Sequence, residues 1–382
     1  MKVCIVGELN GGVGVYARNL IHGLRGRGVE TTIITPHPDA LSDAGEIIPV
    51  PASNGRARWL PHARRFARAL QKVRPACDIV HFTDARYSLF VRQRHQPVVG
   101  TMNDYFYTLT GWFQGDGTRD VYHDWISRHL YYNFIRTLEG RALRRLDGVV
   151  CIAQAVADRL HQAYRIPTDR LGVIHYGINY GPSDAEPFSK SARTVVFAGG
   201  NFQRKGLETL IRASRQVLQK VPDVRFVVLG DSAGAARLKK VAGELGVRDS
   251  FAFEGQVDYQ TLYRFYSTAD VFAMPSVLEA FGLPYLEAMH CGVPVIGTHM
   301  PGPDEYLVHE GNALLSAPGD SDALGRDILR LMEDRALCQK LVQGGRATAE
   351  RFTVALMVNK TVAFYEKAIS TRRDGSKTLG NG

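Results

Sequence analysis

The chain has 382 residues, 45% of them apolar and 22% charged, with 47 basic against 38 acidic side chains and a net charge of +9. At roughly 150 residues per domain this excludes a single small module and predicts two domains, or three small ones, with ample apolar material for real cores. Up to Lys190 basic residues outnumber acidic ones 24 to 17, against 23 to 21 beyond it, a lopsidedness that argues for an anionic ligand or surface met by one half and against a uniform nucleic-acid coat.

Short apolar, β-branched runs alternate with segments of helical period, the pattern of parallel sheets covered by helices. The first half offers strands at Lys2–Val6, Thr31–Thr35, Ile79–Phe82, Val98–Thr101, Val149–Ile152 and Val173–His175. A second series runs through Thr194–Ala198, Arg225–Leu229, Val271–Met274 and Pro294–Gly297. Between the two, Gly177–Ser191 is rich in Gly, Pro, Ser and acidic residues and reads as a linker. Helical period returns over Val354–Ile369, and Thr371–Gly382 has almost no apolar residues, as expected of a disordered tail. Cys4, Cys77, Cys151, Cys291 and Cys338 have no C-x-x-C spacing and read as buried reduced thiols. Neither a signal peptide nor an apolar run of about 18 residues is found, so the expected location is cytoplasmic.

The first strand runs into Gly7-Glu8-Leu9-Asn10-Gly11-Gly12-Val13-Gly14 and then a helix. Glycines at such a turn let a phosphate approach the backbone and the positive end of the helix. Gly12-x-Gly14-x-x-Ala17, with Glu30 further on, also matches a dinucleotide fingerprint, but a loop of about five residues separates strand from glycines where the fingerprint has none. A turn without a ligand is the plain alternative. From Arg56 to Arg74 there are seven Lys or Arg residues and no acidic ones. A helix starting at Pro61 sets Ala63, Phe66, Ala67, Leu70 and Val73 opposite Arg64, Arg65, Arg68 and Lys72. That basic face is either solvated or docks on anionic lipid. The aromatic stretch from Asp104 through Trp112-Phe113 to Tyr131-Tyr132 suits a sugar or lipid-linked acceptor, and suits a core equally.

In the second half, Gly199-Gly200-Asn201-Phe202-Gln203-Arg204-Lys205-Gly206 follows the first strand and puts two cations at the positive end of a helix. That arrangement costs electrostatic energy unless an anion sits there. The sharpest signal is Pro275-Ser276-Val277-Leu278-Glu279-Ala280-Phe281-Gly282-Leu283-Pro284-Tyr285-Leu286-Glu287-Ala288-Met289. Glu279 falls in the loop at a strand's C-terminal end, where open α/β sheets bind ligands, and Glu287 falls on a helix over Tyr285–Cys291. A carboxylate can hold a ribose diol through two charge-assisted hydrogen bonds. Leu286, Ala288, Met289 and Val293 around Glu287 look buried, and a buried carboxylate needs a partner. The one D-x-D, Asp320 to Asp322, reads as a helix N-cap.

The two-glutamate segment, the Gly-Gly-Val-Gly loop and the Arg-Lys-Gly turn together resemble glycosyltransferase family 4, from Val3 to about Phe364. The likeness includes Val173 to Asn179, Phe253-Glu254-Gly255 and Gly292 to Ile296. The resemblance implies an α/β chain of the GT-B fold: two Rossmann-like doubly wound domains facing each other across a cleft, with a C-terminal helix crossing back to the first. The boundaries become an acceptor-side domain over 1–180, a linker over 181–192, a donor domain over 193–353, the returning helix over 354–370 and the tail over 371–382. The implied activity is retaining transfer of a hexose from a UDP- or GDP-sugar to a glycan or lipid-linked acceptor, in cell-surface polysaccharide or lipopolysaccharide synthesis. No metal or cofactor and no nucleic acid is expected, and contact with the inner face of the membrane is.

By the same resemblance Glu287 holds the donor ribose, and Glu279 contacts the transferred sugar. Backbone N–H groups of Phe281, Gly282 and Leu283 help bind sugar and phosphate. Arg204 and Lys205 neutralise the diphosphate, Gly12 approaches it, and the base is read near Gly255. Three departures stand out. Gly200, on the donor-binding side, replaces a frequent arginine, Asn103-Asp104 takes the catalytic place where many members have His-Asp or His-Glu, and Ala153-Gln154 replaces Ser-Glu. A nucleotide-sugar epimerase on the same fold, and less favourably an NAD-dependent oxidoreductase or a non-enzymatic binding protein, are the competing readings.

Overall fold

The computed structural model describes the chain except residues 42–45, 53–58, 74–76, 92–95, 106–124, 180–187, 190–191, 231–233 and 379–382, and describes the backbone alone at 73, 125–132 and 373–378. Among the described residues there are two compact units, one up to Gly177 plus Thr353 onward, the other Ile178–Phe352. The acidic linker falls largely outside the described residues.

The first unit contains β1 (Lys2–Val6), α1 (Gly11–Arg25), β2 (Glu30–Thr35), β3 (Ile47–Pro49), α2 (Trp59–Val73), β4 (Ile79–Phe82), β5 (Val98–Met102), α3 (Trp125–Leu143), β6 (Gly148–Cys151), α4 (Gln154–Tyr164) and β7 (Leu171–Val173). Its strands form one parallel sheet in the order β3-β2-β1-β4-β5-β6-β7. The second unit contains β8 (Thr194–Ala198), α5 (Leu207–Lys220), β9 (Arg225–Leu229), α6 (Ala235–Glu244), β10 (Phe251–Gly255), α7 (Tyr259–Thr268), β11 (Val271–Ala273), α8 (Leu283–His290), β12 (Val295–Thr298), β13 (Leu314–Ser316), α9 (Ser321–Glu333) and α10 (Arg335–Ala349). Its parallel sheet is ordered β10-β9-β8-β11-β12-β13. The central strands β4, β5, β6, β8 and β11 are buried at every residue, because helices cover both faces. In each sheet the strand order reverses beside the first strand, at β1/β4 and at β8/β11, which is where doubly wound sheets open a crevice at their C-terminal edge.

The last helix, α11 (Val354–Thr378), belongs to the first unit. A Cβ on Gly23 of α1 would come within 2.4 Å of Val358, and Cβ atoms on Gly148 and Gly172 would each come within 2.6 Å of the Phe364 ring. Glycine at these three positions therefore makes the seat for α11. Burying Met357, Val358 and Tyr365 there stabilises the return by roughly 1.5–3 kcal/mol per large apolar side chain. Tyr365 also hydrogen-bonds His81 Nδ1 through its hydroxyl, His81 Nε2 meets Thr101 Oγ1 at 2.7 Å, and Thr101 Oγ1 meets the Tyr16 hydroxyl at 2.9 Å.

Several expectations are corrected. Strands β3, β10 and β13 were not anticipated: β3 and β13 have three residues each, and β10 is an edge strand whose Ala252 and Glu254 are exposed. The basic helix starts at Trp59 rather than Pro61, and α8 spans Leu283–His290 rather than Tyr285–Cys291. α11 continues to Thr378, so the segment expected to be disordered from Thr371 is helical over 371–378. Cys77, Cys291 and Cys338 are partly exposed, and only Cys4 and Cys151 are buried; all five are free thiols. Asp320 is an N-cap, its carboxylate accepting from the Ala323 N–H at 2.9 Å.

Candidate active site

In the second domain the turn after β8 is shaped before any ligand is considered. Asn201 takes a left-handed backbone (φ 51°), and its side-chain oxygen accepts from the Arg204 N–H at 3.1 Å. Phe202 is buried against Phe197 and anchors the turn. Gly206 (φ 76°) begins α5, and a Cβ there would stand 1.8 Å from the Pro275 carbonyl oxygen, so only glycine lets the two loops meet. The Arg204 carbonyl accepts from the Val277 N–H at 2.8 Å, which ties the turn after β8 to the loop after β11.

That tie brings Lys205 onto Glu279. The two form a buried ion pair, each residue 6% exposed, and the Arg204 guanidinium lies 3.6 Å from Glu279 Oε1 while donating to the Leu278 carbonyl at 3.1 Å. Glu279 Oε1 also accepts from the Ala280 N–H at 3.1 Å. Burial alone would raise the Glu279 carboxyl, but the Lys205 and Arg204 cations outweigh it and hold its pKa down at about 2. The anion that the two cations require is thus supplied by the protein itself. Sequence reasoning named all three residues without seeing that they are partners.

The loop after β11 is braced from behind. Tyr285 donates to the Met274 carbonyl at 2.5 Å, Thr298 to the Ser276 carbonyl at 2.6 Å, and Tyr306 to the carbonyls of Phe281 and Gly282 at 2.6 and 2.9 Å. Gly282 (φ 88°) caps α8, so the Leu283 N–H stands at the start of a helix beside this loop. Glu287, one turn along α8, is 6% exposed and accepts from Tyr259 at 2.8 Å and from Tyr266 at 3.1 Å. Burial pushes its carboxyl up, and the two phenols counter that. These tyrosines were missed, although the signal exists: Tyr259, Tyr263 and Tyr266 recur at i, i+4 and i+7 on α7. Gly255 (φ 74°) ends β10, its carbonyl accepts from the Gly230 N–H at 2.7 Å, and the space over its Cα is open; Gly200 is exposed.

In the first domain Gly12 lies in the first turn of α1, with open space where a Cβ would be, whereas a Cβ on Gly14 would stand 2.1 Å from the Leu9 backbone. Glu8 Oε1 lies 2.8 Å from His62 Nδ1, a pairing the sequence did not reveal. Asn103 and Asp104, after β5, are held inside the domain. Asn103 donates to the Thr83 carbonyl at 2.9 Å and accepts from Tyr176, and Asp104 lies 3.2 Å from Arg86, which also pairs with Asp84 at 2.6 Å. Of the basic residues on α2, Arg64 sits over the Phe90 ring at 5.1 Å and Arg65 donates to the carbonyls of Pro51 and Ala52 at 2.7 Å each, while Arg68 and Lys72 are exposed. Ala63, Phe66, Ala67 and Leu70 are buried on the opposite face. The aromatic stretch from residue 106 to 132 lies outside the described side chains.

Two families match the chain in tandem: residues 10–181 match the one described as Glycosyltransferase Family 4, and residues 183–348 the one described as Glycosyl transferases group 1. The chain belongs to the family 4 glycosyltransferases. The fold agrees. Sucrose-phosphate synthase from Thermosynechococcus elongatus superposes with a TM-score of 0.80 at 20% identity, over 97% of this chain and all of that one. HepE of Anabaena in complex with UDP-glucose superposes with a TM-score of 0.72 at 18% identity, over 97% of this chain and all of that one. The lipopolysaccharide core biosynthesis glycosyltransferase LpsD of Rhizobium meliloti is 32% identical over 183 residues, 47% of this chain and 51% of the relative. The match spans about half to three-fifths of the length of the curated relatives. With the chain in this family, Gly12 and Gly14 are the first turn of a glycosyltransferase helix, and the dinucleotide reading has no support left. No helix among the described residues is long and apolar enough to cross a membrane.

Proposed function

We propose that this protein transfers a hexose, with retention of anomeric configuration, from a UDP- or GDP-sugar to a glycan or lipid-linked acceptor in the synthesis of a cell-surface polysaccharide or lipopolysaccharide. The observation that carries this reading is the ion cluster of Arg204, Lys205 and Glu279 on the loops where the second sheet reverses its order, with the buried Glu287 on the helix that follows. The UDP-glucose bound to HepE supports the donor class, and the lipopolysaccharide-core role in LpsD's name supports the acceptor class.

In this reading Glu287 takes the ribose hydroxyls, with Tyr259 and Tyr266 fixing its carboxylate. Arg204 and Lys205 stabilise the charge that builds on the leaving diphosphate, the role for which fixed cations in a water-poor site are most effective. When the diphosphate arrives, Glu279 shares Lys205 with it and turns a carboxylate oxygen to the sugar hydroxyls. The N–H groups at Phe281, Gly282 and Leu283 assist, and Gly255 lies beside the base. The acceptor hydroxyl attacks from the face the diphosphate leaves, and a diphosphate oxygen takes its proton; with Arg204 and Lys205 carrying the leaving-group charge, no metal is called for in this reading. On the first domain, Gly12 is assigned to phosphate and Asn103 and Asp104 to the acceptor side, where their internal hydrogen bonds make them positioning groups. The exposed Arg68 and Lys72, with Arg64 and Arg65, face the inner leaflet of the membrane.

The test is release of free nucleoside diphosphate from UDP-, GDP- and ADP-glucose with and without a lipopolysaccharide-core acceptor. Release that depends on the acceptor and survives a chelator is the expected result. Release without acceptor, or epimerised donor, overturns it.

A further inference from the structure

The first domain carries a second concave site that the transfer reaction leaves unused. At the edge of the sheet formed by strand N-terminal ends, where Gly148 opens β6, a cavity of about 500 Å³ is walled on one side by α11. This edge is opposite to the C-terminal edge that bears Gly12, Asn103 and Asp104.

Five cations line the cavity: Arg144 and Arg145 just beyond α3, Arg170 before β7, and Lys367 and Arg372 on α11. Only two carboxylates, Asp147 and Asp169, accompany them. Arg372 pairs with Asp147 at 2.9 Å. Arg144, Arg145 and Lys367 instead donate to the backbone carbonyls of Tyr164, Leu89 and Asp169 at 3.4, 3.1 and 3.1 Å. Among the described residues none of these three, nor Arg170, forms an ion pair. Like charges gathered around one cavity repel unless an anion joins them, and guanidinium forks match phosphate oxygens in geometry. The Phe364 ring, fixed between Gly148 and Gly172, adds an apolar wall.

We propose that this cavity binds a soluble ligand bearing a diphosphate, with Arg144, Arg145 and Arg170 on the phosphate oxygens and Phe364 against the organic part. The volume lies in the range of small-molecule sites, roughly 300–1,000 Å³, and the excess of three positive charges matches a diphosphate better than a single carboxylate. Because Lys367 and Arg372 extend from α11, the ligand also ties that helix to the sheet.

Isothermal titration of the full chain with inorganic pyrophosphate at low salt tests this, with Arg204→Ala disabling the donor turn. Binding should persist in Arg204→Ala, weaken at least about tenfold in Arg170→Ala, weaken further in Arg144→Ala/Arg170→Ala, and be largely kept in Arg170→Lys. Arg170 is exposed, and its N–H bond to the Pro167 carbonyl survives substitution, so Arg170→Ala is expected to fold. Loss of all pyrophosphate binding in Arg204→Ala, or unchanged affinity in both Arg170→Ala and the double variant, overturns the proposal whether or not the chain transfers sugar.

Discussion

Lys205 and Glu279 stand 74 residues apart in sequence and form a buried ion pair that joins the turn after β8 to the loop after β11. A buried pair of this kind gives little net stability when intact, but removing one partner strands the other charge. Lys205→Ala should therefore destabilise the protein by about 3–5 kcal/mol in denaturant melts. Replacing both partners, Lys205→Met with Glu279→Leu, should recover most of that loss while turnover stays abolished. Full recovery of activity in the double variant would mean that the pair is structural only.

Glu287 offers its carboxylate already oriented by Tyr259 and Tyr266. Glu287→Ala should weaken nucleotide-sugar binding about a hundredfold or more, since two charge-assisted hydrogen bonds of about 1.5–3 kcal/mol each are lost. Tyr259→Phe removes only one orienting bond and should cost about tenfold or less. Equal effects from the two substitutions would place the ribose elsewhere.

The first domain contains two buried groups whose titrations oppose each other. Burial holds His81 down at about 3, so below about pH 6.5 the unfolded chain takes up a proton that the folded one refuses, and stability falls with pH. Burial raises Glu139 to about 7, where Arg86 only partly offsets it, so between pH 7 and about 4.5 the folded chain binds the extra proton and stability rises. Each slope is about 1.4 kcal/mol per pH unit. The wild type should be nearly flat from about pH 6.5 to 4.5 and lose stability below that, where Glu279 is also protonated in the unfolded chain first. His81→Gln should gain stability on mild acidification and Glu139→Gln should lose it, as read from urea midpoints across this range.

The basic face of α2 gives a charge-dependent expectation. Neutralising Arg64, Arg65, Arg68 and Lys72 should reduce co-sedimentation with anionic vesicles at low salt, each contributing about 1 kcal/mol near the surface. Arg65 also holds the carbonyls of Pro51 and Ala52, so Arg68→Gln with Lys72→Gln is the cleaner pair. Unchanged sedimentation would leave the face simply solvated.

The strands β1, β4, β8 and β9 were legible in full because unbroken β-branched runs declare strands buried on both faces. Glu279 and Glu287 were legible because local spacing places one on a loop and one on a helix. What escaped was of two kinds. Short or half-polar edge strands such as Ile47–Pro49 and Phe251–Gly255 carry too little pattern. Partnerships across long sequence separations, such as Lys205 with Glu279, Glu8 with His62, and the α7 tyrosines with Glu287, exist only once the sheet has brought the loops together. The helical course of α11 beyond Thr371 was hidden because charge and glycine mask helical period there.

The most direct test of the account is the thermal stability of the wild type and Glu287→Ala with UDP-glucose and GDP-mannose. At about 100 times the dissociation constant, a bound donor should stabilise the wild type by about 2.7 kcal/mol and leave Glu287→Ala near its unliganded melting point. A wild type that responds to neither sugar nucleotide, or a Glu287→Ala that responds as fully as the wild type, would contradict it.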